Sequence, residues 1–247
     1  MSGTFTIYRR ELAGLFLAPL AWILLCATVA YCAFFFVAAL EQGGGEVNLA
    51  LSYMHGGPFW FLVVFLPPLL TMRMISEETK SGLLEFLLTA PVGDAGVVLG
   101  KMLAATTFMA IAWSCVLLYG ALVHALGAPP DWGQLVAQWI GALAVSALLC
   151  TLGLIASALS ATPLLAAFLG ILGNIVLLIL PMTVRLVRGE MQELARAAVH
   201  KVDVTAHFNG SFATGAVDTG DLVFFGAWTL AGLFCAVRVT ESRRWLG

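Results

Sequence analysis

Stretches free of Asp, Glu, Lys and Arg divide the chain into five long apolar runs, at residues 12–40, 47–72, 102–130, 132–184 and 222–237. A helix rising 1.5 Å per residue crosses the hydrocarbon core of a bilayer in roughly 20 residues. The fourth run has 53 residues; as one helix it would reach roughly 80 Å, more than twice that core, so it must fold back. The break is at Ser160-Ala161-Thr162-Pro163, because proline cannot continue a helix and disfavours helical geometry in the residue before it. The pattern therefore predicts an all-α polytopic membrane protein with six transmembrane helices, approximately 15–40, 54–72, 102–126, 135–160, 163–184 and 221–239. The last is the shortest apolar run and relies on Arg238 reaching the interface.

Three polar segments remain. Residues 2–14 set Arg9, Arg10 and Glu11 among Phe5, Ile7, Tyr8 and Leu12, which suits an N-terminal interfacial helix or a plain topology-setting positive flank. In residues 73–101, Leu83, Leu84, Leu87 and Leu88 form one helical face, with Glu78, Ser81 and Glu85 on the opposite stripe. That pattern fits either an interfacial loop or a helix that docks into a partner. In residues 185–220, Met191, Leu194, Ala195, Ala198 and Val199 recur at helical spacing ahead of a turn-rich tail, predicting an outside re-entrant or amphipathic segment between helices five and six.

Composition sharpens the picture. The chain is 61% hydrophobic and 11% charged, with mean hydropathy +0.97, far from a soluble domain. A net charge of −2 gives no electrostatic case for nucleic acid. Eight of the twelve Lys and Arg (Arg9, Arg10, Arg73, Lys80, Lys101, Arg238, Arg243, Arg244) fall on one side if the spans alternate, which predicts both termini in the cytoplasm. The first apolar run reads as an uncleaved anchor rather than a signal peptide. The five cysteines, Cys26, Cys32, Cys115, Cys150 and Cys235, all lie inside apolar runs, as packing residues do.

Candidate chemistry is sparse. Gly100-Lys101 resembles the end of a phosphate-binding loop, but Ala95 stands where the first glycine belongs and Met102 where Ser or Thr should hold magnesium. His200, Asp203 and His207 lack the further ligands of a metal site. His55 and His124 fall near the outer ends of spans two and three, where a wet interface would satisfy them. The apolar runs contain no Asp, Glu, Lys or Arg, although proton- or ion-coupled carriers place such groups there at a cost of ~3 kcal/mol or more. Asn174 is the one amide midway along a span, open to an interhelical hydrogen bond or a substrate contact. Energy for any uphill movement must therefore come from another subunit.

The block Phe65-Leu66-Pro67-Pro68-Leu69-Leu70-Thr71-Met72-Arg73, with Glu77-Glu78, Ser81-Gly82, Glu85, Leu87-Leu88-Thr89, Pro91-Val92 and Val97-Val98-Leu99-Gly100-Lys101, resembles type-2 ATP-binding-cassette exporter permeases. Within that family the block looks like the gliding-motility branch, related to the permeases of nitrous-oxide-reductase maturation. Arg10-Glu11-Leu12 before Ala18-Pro19, and His207-Phe208 with Ser211-Phe212, Gly215 and Val217-Asp218, match in order at the two ends. Ala18 replaces an expected serine and Leu83 an expected threonine, departures that bear on the branch rather than the family.

The resemblance implies a permease that pairs with a second permease chain as a homodimer and with two copies of a cytoplasmic ATPase, in the bacterial cytoplasmic (inner) membrane. An auxiliary membrane protein with an extracytoplasmic domain would be compatible. It implies no enzyme activity and no cofactor on this chain, ATP and Mg being held by the ATPase. Residues 73–101 would carry the cytoplasmic coupling helix, with Glu77, Glu78, Ser81, Gly82 and Glu85 docking the ATPase. Ser160 and Thr162 would make a second cytoplasmic contact, and Phe59, Trp60, Phe61, Phe65 and Asn174 would line the translocation path. A membrane anchor that transmits ATPase strokes without transporting is the alternative.

Overall fold

A computed structural model describes residues 2–80, 93–183, 199 and 201–243. Among them every regular element is helical. Helix α1 (Ser2–Leu17) is followed by Ala18 in extended geometry, and Pro19 opens α2 (Pro19–Gln42). Proline drives the residue before it out of the helical region, while its own fixed φ suits the first helical turn. The Trp22 indole donates to the Phe16 carbonyl at 2.8 Å across this bend.

Helix α3 (Val47–Met54) leads through a short turn at His55-Gly56 into α4 (Gly57–Thr71), and α5 (Ser76–Lys80) follows after a second turn. Beyond the undescribed residues 81–92 come α6 (Asp94–Ala125), α7 (Trp132–Leu159) and α8 (Pro163–Thr183). Asp131 caps α7 by accepting from the Gln134 amide at 3.1 Å. The long apolar run is thus split between Leu159 and Pro163. A short α9 (Val204–Gly210), a 3₁₀ turn at Phe212–Thr214 and α10 (Thr219–Arg243) complete the described chain. Six helical segments among the described residues are long and apolar enough to cross a membrane: Pro19–Gln42, Val47–Lys80, Asp94–Ala125, Trp132–Leu159, Pro163–Thr183 and Thr219–Ser242.

Helix α7 is the hub, packing against α4, α6, α8 and α10. Glycines make the close approaches: a Cβ at Gly153 would strike Thr71 of α4, and one at Gly232 of α10 would strike Thr151 of α7. In a bilayer, where lipid tails are as apolar as leucine, such close van der Waals fit replaces the hydrophobic drive of a soluble core. A buried hydrogen bond from Trp113 Nε1 to Ser146 Oγ, 2.9 Å, adds a polar tie between α6 and α7. Helices α2, α8 and α10 are far less enclosed, presenting Phe34, Phe168, Leu230 and Phe234 outward.

Candidate functional site

Within the Phe65–Lys101 block read from the sequence, Phe65 to Lys80 form an elbow at one end of the bundle. Within α4, Pro67 and Pro68 each lack the N–H that would close a helical hydrogen bond. The carbonyl left free by Pro68 is that of Val64, and Asn174 on α8 donates to it from Nδ2 at 3.1 Å. Thr71 returns its hydroxyl to the Pro67 carbonyl at 2.8 Å. A turn through Met72–Ile75 then carries the chain into α5.

That turn is fastened from two sides. Ser157 near the end of α7 is fully buried; its hydroxyl donates to the Met72 carbonyl (3.0 Å) and accepts from the amides of Ile75 (3.2 Å) and Ser76 (3.1 Å). From α6, Lys101 donates to the Met74 carbonyl at 2.7 Å. Its ammonium also meets Glu11 of α1 at 3.0 Å and Glu78 of α5 at 2.8 Å. All three ammonium donors thus have an acceptor within reach, which lets a lysine side chain only 1% exposed remain there. Arg10 closes the ring, 2.6 Å from Glu11 and 2.9 Å from Glu78.

Two cations and two carboxylates therefore neutralise one another. Burial works against ionising Glu11, but Lys101 and Arg10 outweigh it and hold its carboxyl below the ordinary range. The Arg10 guanidinium is pushed up, the opposing effect of burial being overcome by Glu11 and Glu78. Gly100 makes the arrangement possible, since a Cβ there would meet Ile7 at 2.9 Å and the Thr4 carbonyl at 3.0 Å. Its absence lets α1 lie against α6 so that Glu11 reaches Lys101. Beside the cluster, a cavity of about 250 Å³ separates Leu15, Ala18 and Leu24 from Leu70 and Arg73. On that side charge, not packing, holds α1 to the elbow.

The expected docking residues fall into two groups. Glu77 points outward, half exposed, and among the described residues pairs with Arg73 at i,i+4, 3.3 Å away, whereas Glu78 faces inward into the cluster. Ser81, Gly82 and Glu85, with the leucine face Leu83, Leu84, Leu87 and Leu88, lie outside the described residues, as do residues 185–198 and 200 of the outside segment 185–220. Ser160 is buried and donates to the Ala156 carbonyl at 2.7 Å. Thr162 is exposed and caps α8 at Leu165.

The expected path residues also separate. Phe59 is 1% exposed and stacks on Phe208 with ring centres 4.9 Å apart; Trp60 packs edge-on to the same ring. Phe61 and Phe65 instead lie on the outer side of α4, Phe61 stacked on Tyr31 at 5.6 Å. Asn174 takes the interhelical hydrogen bond already described. His55, expected at a wet interface, is 2% exposed and packs near Phe59, because the α3–α4 turn folds it under the bundle end.

At this opposite end Phe208 and Phe212 are fully buried over Gly141, where a Cβ would clash with the Phe212 ring. Asp203 caps α9 at Ala206, and His207 pairs through Nδ1 with Asp221 of α10 at 2.6 Å while stacking on Phe224. The sequence reading missed the Arg10–Glu11–Glu78–Lys101 cluster. Its available signal was a lysine at the edge of an apolar run immediately after a glycine.

No curated protein compared with the chain matches it. Residues 39–237, most of the chain, match the family described as ABC-2 family transporter protein. With six helices fit to cross a bilayer and a match over that length, the chain belongs to the ABC-2 transporter family, as a multi-pass membrane permease subunit of the kind that is itself non-catalytic and works with a separate ATPase.

Proposed function

We propose that this chain is the permease of an exporter, that residues 73–101 dock the cytoplasmic ATPase, and that the α4–α5 elbow converts ATPase movement into movement of α4. The observation that carries the reading is the elbow itself. The turn Met72–Ile75 is hydrogen-bonded to Ser157 and Lys101, so a push on α5 passes directly to the ends of α4, α6 and α7. Glu77 offers an exposed carboxylate for the ATPase, joined by Ser81, Gly82 and Glu85, while Glu78 serves docking indirectly by fixing the direction of α5. Thr162, exposed at the α7–α8 turn, suits the second contact, with Ser160 shaping the turn.

In this reading both termini are cytoplasmic, as the distribution of Lys and Arg favours. Two permease chains pair with two ATPase subunits in a bacterial inner membrane. Phe61 and Phe65, turned away from the chain's own core, would face the path between the pair, and residues 185–220 would cap it outside. Phe59, Trp60 and Asn174 would support that path by holding α4 in place. The block Phe65–Arg73 with Glu77-Glu78 supports placement in the gliding-motility branch.

The test is affinity purification of the tagged chain from mild detergent with mass spectrometry. A soluble ATPase should be recovered near one-to-one and fall at least about tenfold in a Glu77→Lys, Glu85→Lys double variant, which leaves the buried Glu78 pair intact. Undiminished recovery would remove the docking assignment. Absence of any ATPase from the parent preparation would likewise overturn the docking assignment.

A further inference from the structure

We infer that Arg10, Glu11, Glu78 and Lys101 form an ionic latch that makes α1 move with α5, so that the N-terminal helix is part of the coupling apparatus. The functional half of this inference rests on the docking of residues 73–101 proposed above; the latch itself rests on geometry alone. Three segments far apart in sequence meet at one ammonium group, Lys101 Nζ, at 3.0 Å from Glu11 and 2.8 Å from Glu78. Arg10 bridges the same two carboxylates from the other side. Lys101 also holds the Met74 carbonyl, so it is tied to the turn between α4 and α5 as well as to the helices on either side.

The neighbouring cavity shows why charge matters here. Along the α1–α2 bend, Leu15 and Leu24 are separated from Leu70 and Arg73 by about 250 Å³ of space. Without the latch, α1 would be held along α6, through Ile7 over Gly100 and Tyr8 beside Thr107, yet would have little grip on α5. With it, displacement of Glu78 pulls on Arg10 and, through Lys101, on Glu11. Lys101 is thus a positioning residue. It acts by joining the segment proposed to meet the ATPase to α1, far earlier in the chain.

Charge balance gives a variant that separates coupling from folding. Lys101→Met leaves two carboxylates facing Arg10 alone, and an uncompensated buried charge is strongly destabilising. Lys101→Met combined with Glu78→Leu removes one cation and one anion and leaves Arg10 no acceptor at position 78. Glu11 and Arg10 remain paired, so folding is retained while the link to α5 is cut. A purely structural cluster would be made good by this double variant in every respect; a latch would not.

Hydrogen–deuterium exchange of the full chain in lipid nanodiscs reads the difference. In Lys101→Met, amides of residues 2–17 and 72–80 should exchange roughly tenfold or more faster, together, while α7 keeps its protection. In the complex with the co-purifying ATPase, trapped with MgATP and vanadate, the parent should show exchange changes in 72–80 and 2–17 together. The charge-balanced double variant should show the change in 72–80 alone. Unaltered exchange of 2–17 in Lys101→Met, a parent in which 72–80 changes without 2–17, or α1 still following in the double variant would each overturn the latch. If the parent recovers no ATPase, the docking reading fails, and exchange in the chain alone still decides whether α1 and α5 are joined.

Discussion

Pro68 has no N–H to give the Val64 carbonyl, and Asn174 supplies one from the neighbouring helix at 3.1 Å. The pairing explains both an amide in the middle of an apolar span and a double proline inside another. Neither would be tolerated alone, because a backbone carbonyl without a partner in hydrocarbon is costly. Asn174→Leu should therefore destabilise the folded chain by roughly 0.6–1.7 kcal/mol, the usual range for interhelical hydrogen bonds in membranes. Reversible unfolding in mixed micelles measures it, and unchanged stability would mean the carbonyl finds another donor. Asn174 stood out in the sequence because amides are rare in spans. Its partner was invisible there, since nothing local says which of many carbonyls a side chain 110 residues away will reach.

Among the elements, the elbow between α4 and α5 is the part most dependent on one side chain. Ser157 makes three hydrogen bonds to the turn, of 3.0, 3.2 and 3.1 Å. Ser157→Ala removes all three within a buried site and leaves two amides without acceptors, a penalty of roughly 1–3 kcal/mol for each unsatisfied group. Amide exchange at residues 72–76 should rise well above that of the surrounding helices; equal protection in the variant would show that the turn stands unaided. The six long helices were legible because absence of charge over about 20 residues is a strong, local signal. Ser157 was not, since a serine in an apolar run satisfies itself on its own helix as readily as it reaches a neighbour. The docking face was half legible for a similar reason. Helical spacing tells which side chains share a stripe, not which way the stripe turns, and Glu77 and Glu78 diverge accordingly.

For the molecule as a whole, the charged cluster joins segments that the bundle's apolar packing leaves separable. Arg10, Glu11, Glu78 and Lys101 each read in sequence as an ordinary flank of an apolar run. Only the close passage of α1 over Gly100 brings them together. The Glu11 carboxyl sits below its ordinary value of 4.5 in the folded chain, so its contribution is complete at neutral pH and is lost as pH falls through the lower folded value. Thermal unfolding in detergent should therefore show a fall in Tm below about pH 5 that Glu11→Gln makes shallower. An identical pH dependence in parent and variant would count against the pairing.

The two polar ties also differ in when they can form. Chains emerge from the ribosome N-terminus first, at about 5–20 residues per second. Glu11 and Glu78 are already made when Lys101 appears, so the buried ammonium meets both counter-charges on arrival. The Val64 carbonyl has the opposite history. It waits for an amide made 110 residues later, an interval of roughly 5–20 s at that rate. During synthesis the kinked helix must therefore borrow a donor from water, lipid headgroups or the insertion machinery, and the bundle can close around it only once its fifth span has arrived.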